Sequence, residues 1–490
     1  MSLNRRHVVA AAAAAATLIV PLGASAAVAD DRGPDRPHYT LTILHNNDGE
    51  SQLINAPEQP DFGGVARFAT LVDDLRKDAT TGKPGPGQAG RRGVVLLSSG
   101  DNFLAGPAFQ ASLDKGVPFY DSIALSRIGY DAIAIGNHEF DFGPDVLADF
   151  IEGFGGDTPF LSANLDVSDE PRLAELADDG TIVSRTVVRE RGARIGVVGA
   201  TTPELPAISS PRDVTVLDDV AGIVQDQVDA LTGSGVDKII LISHLQNINE
   251  DIELVPELRD VDVAIAGGGT ELLANDDDLL VPGDQRATDP ETGEPLPYPI
   301  VGEDAEGDEV PIVTTSGAYK YVGRLVVNFD KDGEVIGTAD ASGPVRVSGV
   351  APDAVEADAG IQRDVVEPVD EAIAERDENV IAESEVDLEG REDPGVRTQE
   401  TNLGNLVADA LRDAGTDNAA DFGVPEPDVA IQNGGGIRGD ALIPAGDITE
   451  LDTFSIAPFP NFVSIVPDIP RSQFKEIVEN LVSQIPEADG

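Results

Sequence analysis

Short apolar runs in this chain stop, one after another, on the same few polar side chains. Leu41–Leu44 leads into His45-Asn46-Asn47-Asp48, and Val94–Ser99 ends on Gly100-Asp101. Asp131–Ile135 runs into Gly136-Asn137-His138-Glu139-Phe140-Asp141-Phe142-Gly143, and Lys238–Ser243 ends on His244. Runs this short and this rich in Val, Ile and Leu read as strands buried on both faces. Between them lie stretches with helical spacing, Gly64–Lys77, Val117–Ile128, Pro144–Phe154 and Val220–Thr232. That alternation predicts an α/β fold, which builds its site at the carboxyl ends of neighbouring strands. Further strands are expected at Thr181–Arg189, Arg194–Ala200, Val261–Ala266 and Ile312–Ser316. Gly323–Phe329 and Glu334–Ala339 flank Asp330-Lys331-Asp332-Gly333, a hairpin turn signal.

At 490 residues the chain exceeds one ordinary core, so two domains are expected. A net charge of −56 repels nucleic-acid polymers and anionic membranes. We read that charge as the mark of a halotolerant or acidic exported proteome, the alternative being a surface that collects cations. The first 29 residues read as a secretory signal. Arg5-Arg6-His7 forms a positive start, Val8–Val20 an apolar stretch, and Ala24-Ser25-Ala26 and Ala27-Val28-Ala29 two cleavage points. Sec export is the simpler reading, and the paired arginines are a weak pointer to the twin-arginine route. No later run is long and apolar enough for a transmembrane segment, so the mature chain is expected to be exported to the cell envelope or beyond. With 0 cysteines, stability must come from packing and bound ions. Nothing in the sequence encodes the oligomeric state.

Residues 275–311 are acidic and rich in Pro and Gly, and read as a long surface loop. Ala359–Arg376 carries Ile361, Val365, Val369 and Ile373 at helical spacing and reads as a connecting helix within a linker at 351–380. The catalytic domain is then 37–350 and a second domain 381–490. In the latter, helices are expected at Asn402–Ala414 and Arg471–Ser483 and a strand at Val429–Gln432. The second domain is small enough to suggest that it is incomplete.

Asp, Asn and His at adjacent strand ends are the ligand types of a hydrolytic metal centre. Asp101, alone after a glycine, suits a carboxylate bridging two ions. Asp48 and Glu50 form an Asp-x-Glu pair for one ion, and Asn137 and His244 suit the other. His138, one residue from a ligand, is placed to face substrate, and Asp141 can orient its ring. Singly each position has a plainer reading as a turn or core residue, and His45 is read as structural. In the second domain, arginines beside glycines stand out in so acidic a chain. Arg391 and Arg397 precede the Asn402 helix, and Arg438 closes Asn433-Gly434-Gly435-Gly436-Ile437. Guanidinium groups suit phosphates and sugar hydroxyls. Phe459, between two prolines, suits stacking on a base and equally suits core packing.

At these residues the sequence resembles the secreted 5′-nucleotidases, calcineurin-like metallophosphatases that include UDP-sugar hydrolases and 2′,3′-cyclic-nucleotide phosphodiesterases. The resemblance lies in Leu44–Asp48, Gly100-Asp101-Asn102-Phe103, Gly136–Gly143, Ser243-His244 and Thr315–Arg324. It continues in Glu400–Leu406 and Gln432–Arg438. It implies a four-layer α/β/β/α metallophosphatase domain joined by a helix to an α+β substrate-binding domain. It also implies two divalent metal ions (Mn, Mg, Ca or Zn), held by Asp48, Glu50, Asp101, Asn137, His244 and Glu271, and a catalytic dyad of His138 and Asp141. Arg391, Arg397, Asn433, Arg438 and Phe459 match substrate-binding positions for a nucleotide. The family pattern places a second base-stacking aromatic further downstream, so the nucleoside pocket is expected to be unfinished.

The sequence departs from that pattern in its metal motifs. Glu50 stands where the family has His, and Ala266-Gly267-Gly268-Gly269-Thr270-Glu271 puts Gly269 and Glu271 in place of two more. Carboxylates harden the site and favour Mn²⁺, Mg²⁺ or Ca²⁺ over Zn²⁺, while Gly269 withdraws a ligand. The expected function is release of phosphate from nucleoside 5′-monophosphates, with 2′,3′-cyclic nucleotides and UDP-sugars as related substrates. The alternative is a catalytically impaired, acidic, cation-binding surface protein.

Overall fold

The computed structural model describes residues 36–483 apart from 58, 291 and 460–462. The expected signal at 1–29 lies outside the described residues. Two mixed sheets form the larger part of the molecule. In the first, Tyr39–Asn46, Arg92–Ser98, Ala132–Ala134, Phe160–Leu161 and Ile182–Val183 run parallel in that order. Tyr321–Phe329 closes its other side antiparallel to Tyr39–Asn46 and pairs in turn with Val335–Thr338 and Gly343–Arg346. In the second, Ala193–Thr201, Ile239–His244, Val263–Ile265 and Glu309–Val313 are parallel, with Arg185–Glu190 and Ile300–Glu303 antiparallel at the two edges.

Strand alternation explains the layering. Ala132 and Ala134 pack into the apolar cluster shared with Val197, Ile240 and Leu241 of the second sheet. Ile133 and Ile135 point the other way, into the cluster shared with helices Val65–Thr80, Tyr120–Ile128 and Pro144–Glu152. On this strand the alanines thus face the second sheet and the isoleucines face the helices. Helix Val220–Gly233 covers the second sheet through Val224, Val228 and Leu231. The fold is therefore α/β with the α/β/β/α layering expected from the resemblance.

Beyond the sheets, Asp358 caps a helical segment that runs from Ala359 to Glu378, with one wider π-type turn at Gln362–Val366. Val365, Val366 and Val369 bury themselves against the first sheet's helices. Arg376, near the end of this segment, reaches Asp114 on one side and Glu450 on the other, at 3.7 Å, under the ring of Phe454. The second part of the chain has two short strand pairs, Val380–Ser384 with Gly446–Thr449 and Leu388–Glu389 with Leu442–Ile443. Leu388, Leu403, Ile437 and Ile448 form its small core.

Three expectations are corrected. Residues 275–311 are not all loop. Asp304 accepts from the backbone of Glu306 and Asp308, folding a turn that pairs Ile300–Glu303 with Glu309–Val313. The helix expected to stop at Ala414 continues to Phe422 and ends on the left-handed Gly423. Gly415 does not break it; an added Cβ there would lie 3.0 Å from Pro427 Cγ, so the glycine allows that proline to pack close. Val429–Gln432 is not a strand, because Val429 and Ile431 are about half exposed and no strand pairs with them among the described residues. Alternation cannot supply the missing partner. No described helix is long and apolar enough to cross a membrane.

Candidate metal centre

The loops that follow the first two strands continue side by side. Asp48 N donates to Gly100 O at 3.0 Å, Glu50 N to Asp101 O at 3.0 Å and Ser51 N to Asn102 O at 3.2 Å. To turn over the sheet edge, Asp48 (φ 49°), Glu50 (φ 51°) and Asp101 (φ 51°) adopt left-handed backbone, which aspartate tolerates better than most residues. Phe103 anchors the Asp101 loop from below. It is fully buried, with its ring stacked on Phe109 at 4.3 Å.

Asp48, Asp101 and His244 converge, all three buried, with ligand atoms within 4.8 Å of one another. His244 ends its strand, and its Nδ1 lies 2.6 Å from the Ser99 carbonyl. A proton on Nδ1 is thereby engaged, leaving Nε2 to face Asp101 Oδ2 at 2.9 Å and Asn137 Oδ1 at 3.0 Å. Asp101 Oδ1 accepts from the backbone of His138 at 2.8 Å. Burial works against charge on Asp101, but His244 and His138 outweigh it and hold its pKa low. Burial, with the Asp101 and Glu50 carboxylates adding, pushes Asp48 up against the opposing pull of His244.

At the rim, His138 Nδ1 sits 2.8 Å from Asp141 Oδ2, and Ser209 Oγ donates to Asp141 Oδ1 at 2.9 Å. Burial disfavours the His138 imidazolium, yet Asp101 and then Asp141 raise its pKa. Glu50 lines the same cavity, of ≈ 650 Å³, as do Asn137, Gln246 and Lys320, but lies outside the tight Asp48–Asp101–His244 cluster. Its pKa is raised by burial, against the pull of His138. His45 is elsewhere. It is fully buried against the Tyr298 hydroxyl at 2.7 Å, and burial lowers its pKa to about 3.

Gly269 and Glu271 occupy one space. A Cβ built on Gly269 would fall 1.9 Å from Glu271 Oε2, and that oxygen is buried without a hydrogen-bond partner among the described residues. The Glu271 carboxylate thus folds back over the glycine into the place of a residue-269 side chain. The buried Asp48 and Asp101 carboxylates, the Asn137 amide oxygen and the oriented His244 imidazole form a donor set that suits a hard or borderline divalent cation, while Glu271 is not among the described residues that line the cavity.

Sequence reasoning assigned no role to Glu139, Gln246 or Ser209. Glu139 is fully buried and accepts from Asp101 N, Asn102 N, Asn102 Nδ2 and Gly136 N at 2.8–3.1 Å, clamping two of the site loops together. Its place inside Gly136–Gly143 was the available signal. Ser209 lies 68 residues from Asp141 and carries none.

The second domain reaches the same point in part. The Phe459 ring stacks on His138 at 6.3 Å, and the Arg438 guanidinium lies 5.7 Å from the Phe459 centroid. Gly434 packs directly on Val396 and Arg397, where a Cβ would lie 2.6 Å from Val396 O, so Arg397 lies beside the Asn433–Gly436 turn. Arg397 pairs with Glu392 at 3.0 Å. Asn433 is exposed and accepts from Gln432. Arg391 is held at the surface by Glu389.

The family described as 5′-nucleotidase, C-terminal domain, matches residues 380–487. A snake venom 5′-nucleotidase of Naja atra is 30% identical over 86% of this chain and 74% of its own. The trifunctional nucleotide phosphoesterase YfkN of Bacillus subtilis is 27% identical over 94% of this chain, which spans only 29% of that longer protein. The crystal structure of a 5′-nucleotidase precursor from Thermus thermophilus superposes with a TM-score of 0.63 at 33% identity, covering 86% of this chain and 74% of that one. With its layered fold and its convergent Asp, Asn and His side chains, the chain belongs to the 5′-nucleotidase family of phosphoesterases.

Proposed function

We propose that this protein is an exported, metal-dependent phosphohydrolase that releases phosphate from nucleoside 5′-monophosphates. The observation that carries this reading is the convergence of Asp48, Asp101 and His244 within 4.8 Å, beside the His138–Asp141 pair at 2.8 Å. Asp48, Asp101, Asn137 and His244, with Glu50 and Glu271 at the periphery, would hold two divalent ions. Such ions neutralise the phosphate and lower the pKa of an attacking water. Carboxylate enrichment favours Mn²⁺, Mg²⁺ or Ca²⁺ in this role.

The chain's own groups do the rest. His138, whose pKa Asp101 and Asp141 raise against the cost of burial, donates a hydrogen bond to the phosphate as charge builds there, or a proton to the departing ribose oxygen. Asp141, fixed by Ser209, keeps the imidazole facing the cavity. Arg438 contributes positive charge and Phe459 a flat face for the base, with Arg397, Asn433 and Arg391 completing the substrate side. Relatives named as 5′-nucleotidases and a nucleotide phosphoesterase support a nucleotide substrate. The pocket, rather than the chemistry at phosphorus, decides among 5′-monophosphates, 2′,3′-cyclic nucleotides and UDP-sugars. Export rests on the positive, apolar and small-residue pattern of residues 1–29, and domains at 37–350 and 381–490 on either side of the 351–380 linker complete the reading.

The test is phosphate release from AMP by the mature chain with Mn²⁺, Mg²⁺, Ca²⁺ or Zn²⁺ added after chelation. His138→Ala is expected to abolish turnover. Absence of turnover with every metal would leave the impaired cation-binding protein as the reading.

A further inference from the structure

Gln246 lines the metal cavity two residues beyond the strand that ends at His244. Its backbone has φ 86°, well past the left-handed well near +57° that side-chain-bearing residues can visit. Only glycine takes that conformation without strain. Gly268 packs closely on this backbone, since a Cβ added to it would meet Gln246 N and Cα at 2.8 Å. At this strained position stands a long amide whose Nε2 donates to Asn137 Oδ1 at 2.7 Å.

Asn137 needs such a partner. Its amide is two-faced, and a half-turn of the terminal torsion would present the NH₂ group to a cation instead of the oxygen. The other group near Asn137 Oδ1 is His244 Nε2, which has no proton to donate when it serves as a ligand. A fixed N–H donor from Gln246 penalises the turned state, because two amino groups would then face each other. The carbonyl oxygen has two lone pairs, one for Gln246 and one free for a cation.

We infer that Gln246 is a positioning residue whose amide locks the Asn137 oxygen toward the metal centre and whose strained backbone is retained for that contact. This rests on the reading of Asn137 as a metal ligand. Three variants of the full mature chain test it: Gln246→Gly, Gln246→Ala and Asn137→Ala. Mn²⁺ binding is followed by calorimetry, and thermal unfolding is measured in excess EDTA.

Both Gln246 variants are expected to bind Mn²⁺ about 10–100-fold more weakly, the usual loss when a ligand's support is removed. In EDTA, Gln246→Gly is expected to melt above the parent and above Gln246→Ala, since glycine alone relieves the strain. A purely structural role would move stability and affinity in the same direction. Unchanged affinity in Gln246→Gly beside weakened affinity in Asn137→Ala overturns the inference and leaves the metal centre standing. Unchanged affinity in Asn137→Ala overturns the ligand reading and the inference with it. A Gln246→Gly melting point at or below the parent's overturns the claim of strain.

Discussion

His138 Nδ1 and Asp141 Oδ2 stand 2.8 Å apart, and the other Asp141 oxygen is held by Ser209. The pair joins a ring at the cavity to a carboxylate 6% exposed, so orientation and charge are set together. Asp141→Asn keeps the shape and removes the charge. It is expected to lower kcat by about 10²–10⁴ with Mn²⁺ affinity nearly unchanged. Asp141 raises the His138 pKa, so its loss lowers that pKa, and the alkaline limb of the kcat–pH profile should move to lower pH.

Glu139 is tied to four donors on the Asp101 and Gly136 loops. Glu139→Ala would strand those buried donors, a loss of about 3 kcal/mol or more. Urea unfolding in the presence of EDTA should register it, and weakened Mn²⁺ binding should accompany it, because Asp101 loses its backbone anchor.

Asp121 is wholly buried. Its Oδ2 accepts from Ser112 at 2.7 Å. Burial, against the opposing pull of hydrogen bonds from Ser112 and Ser51, lifts its pKa to about 6. The folded state therefore holds the more protons between the unfolded value, about 3.9, and the folded one. Stability from this group is present at low pH and is lost as pH rises through that window. Asp121→Asn should stabilise the protein by an amount on the order of 3 kcal/mol above pH 7, with the gain vanishing toward pH 4. Denaturant titrations at pH 4, 5, 6 and 8 would read this directly.

Arg438 and Phe459 approach His138 from the second domain. Arg438→Ala should raise KM for AMP by about 10-fold or more, the scale of one lost charge-assisted hydrogen bond. Phe459→Leu, which keeps bulk and loses the flat face, should cost less and should affect AMP more than a phosphate ester without a base. Steady-state kinetics with both substrates separates the two effects.

Much of this was legible in the chain because an apolar run that forms a strand hands the next residues to the sheet edge. The positions of Asp48, Asp101, Asn137 and His244 follow from where such runs stop. What escaped was carried by contacts with no local signature. Ser209 meets Asp141 from 68 residues away, and Gln246 meets Asn137 from 109. Gly415 reads as a helix end, yet it admits Pro427 beside a helix that runs on. Val429 and Ile431 alternate as a strand would, but a ladder needs a second chain segment that periodicity cannot provide.

The crowding at Gly269 bears on how this site can change over generations. A side chain there would take the space that the Glu271 carboxylate now fills, with an added Cβ falling 1.9 Å from Glu271 Oε2. Gly269→His would therefore turn the flexible Glu271 carboxylate out of its present place as it adds an imidazole. The two positions are thus coupled, because the side chain at 269 sets where the residue-271 carboxylate can lie.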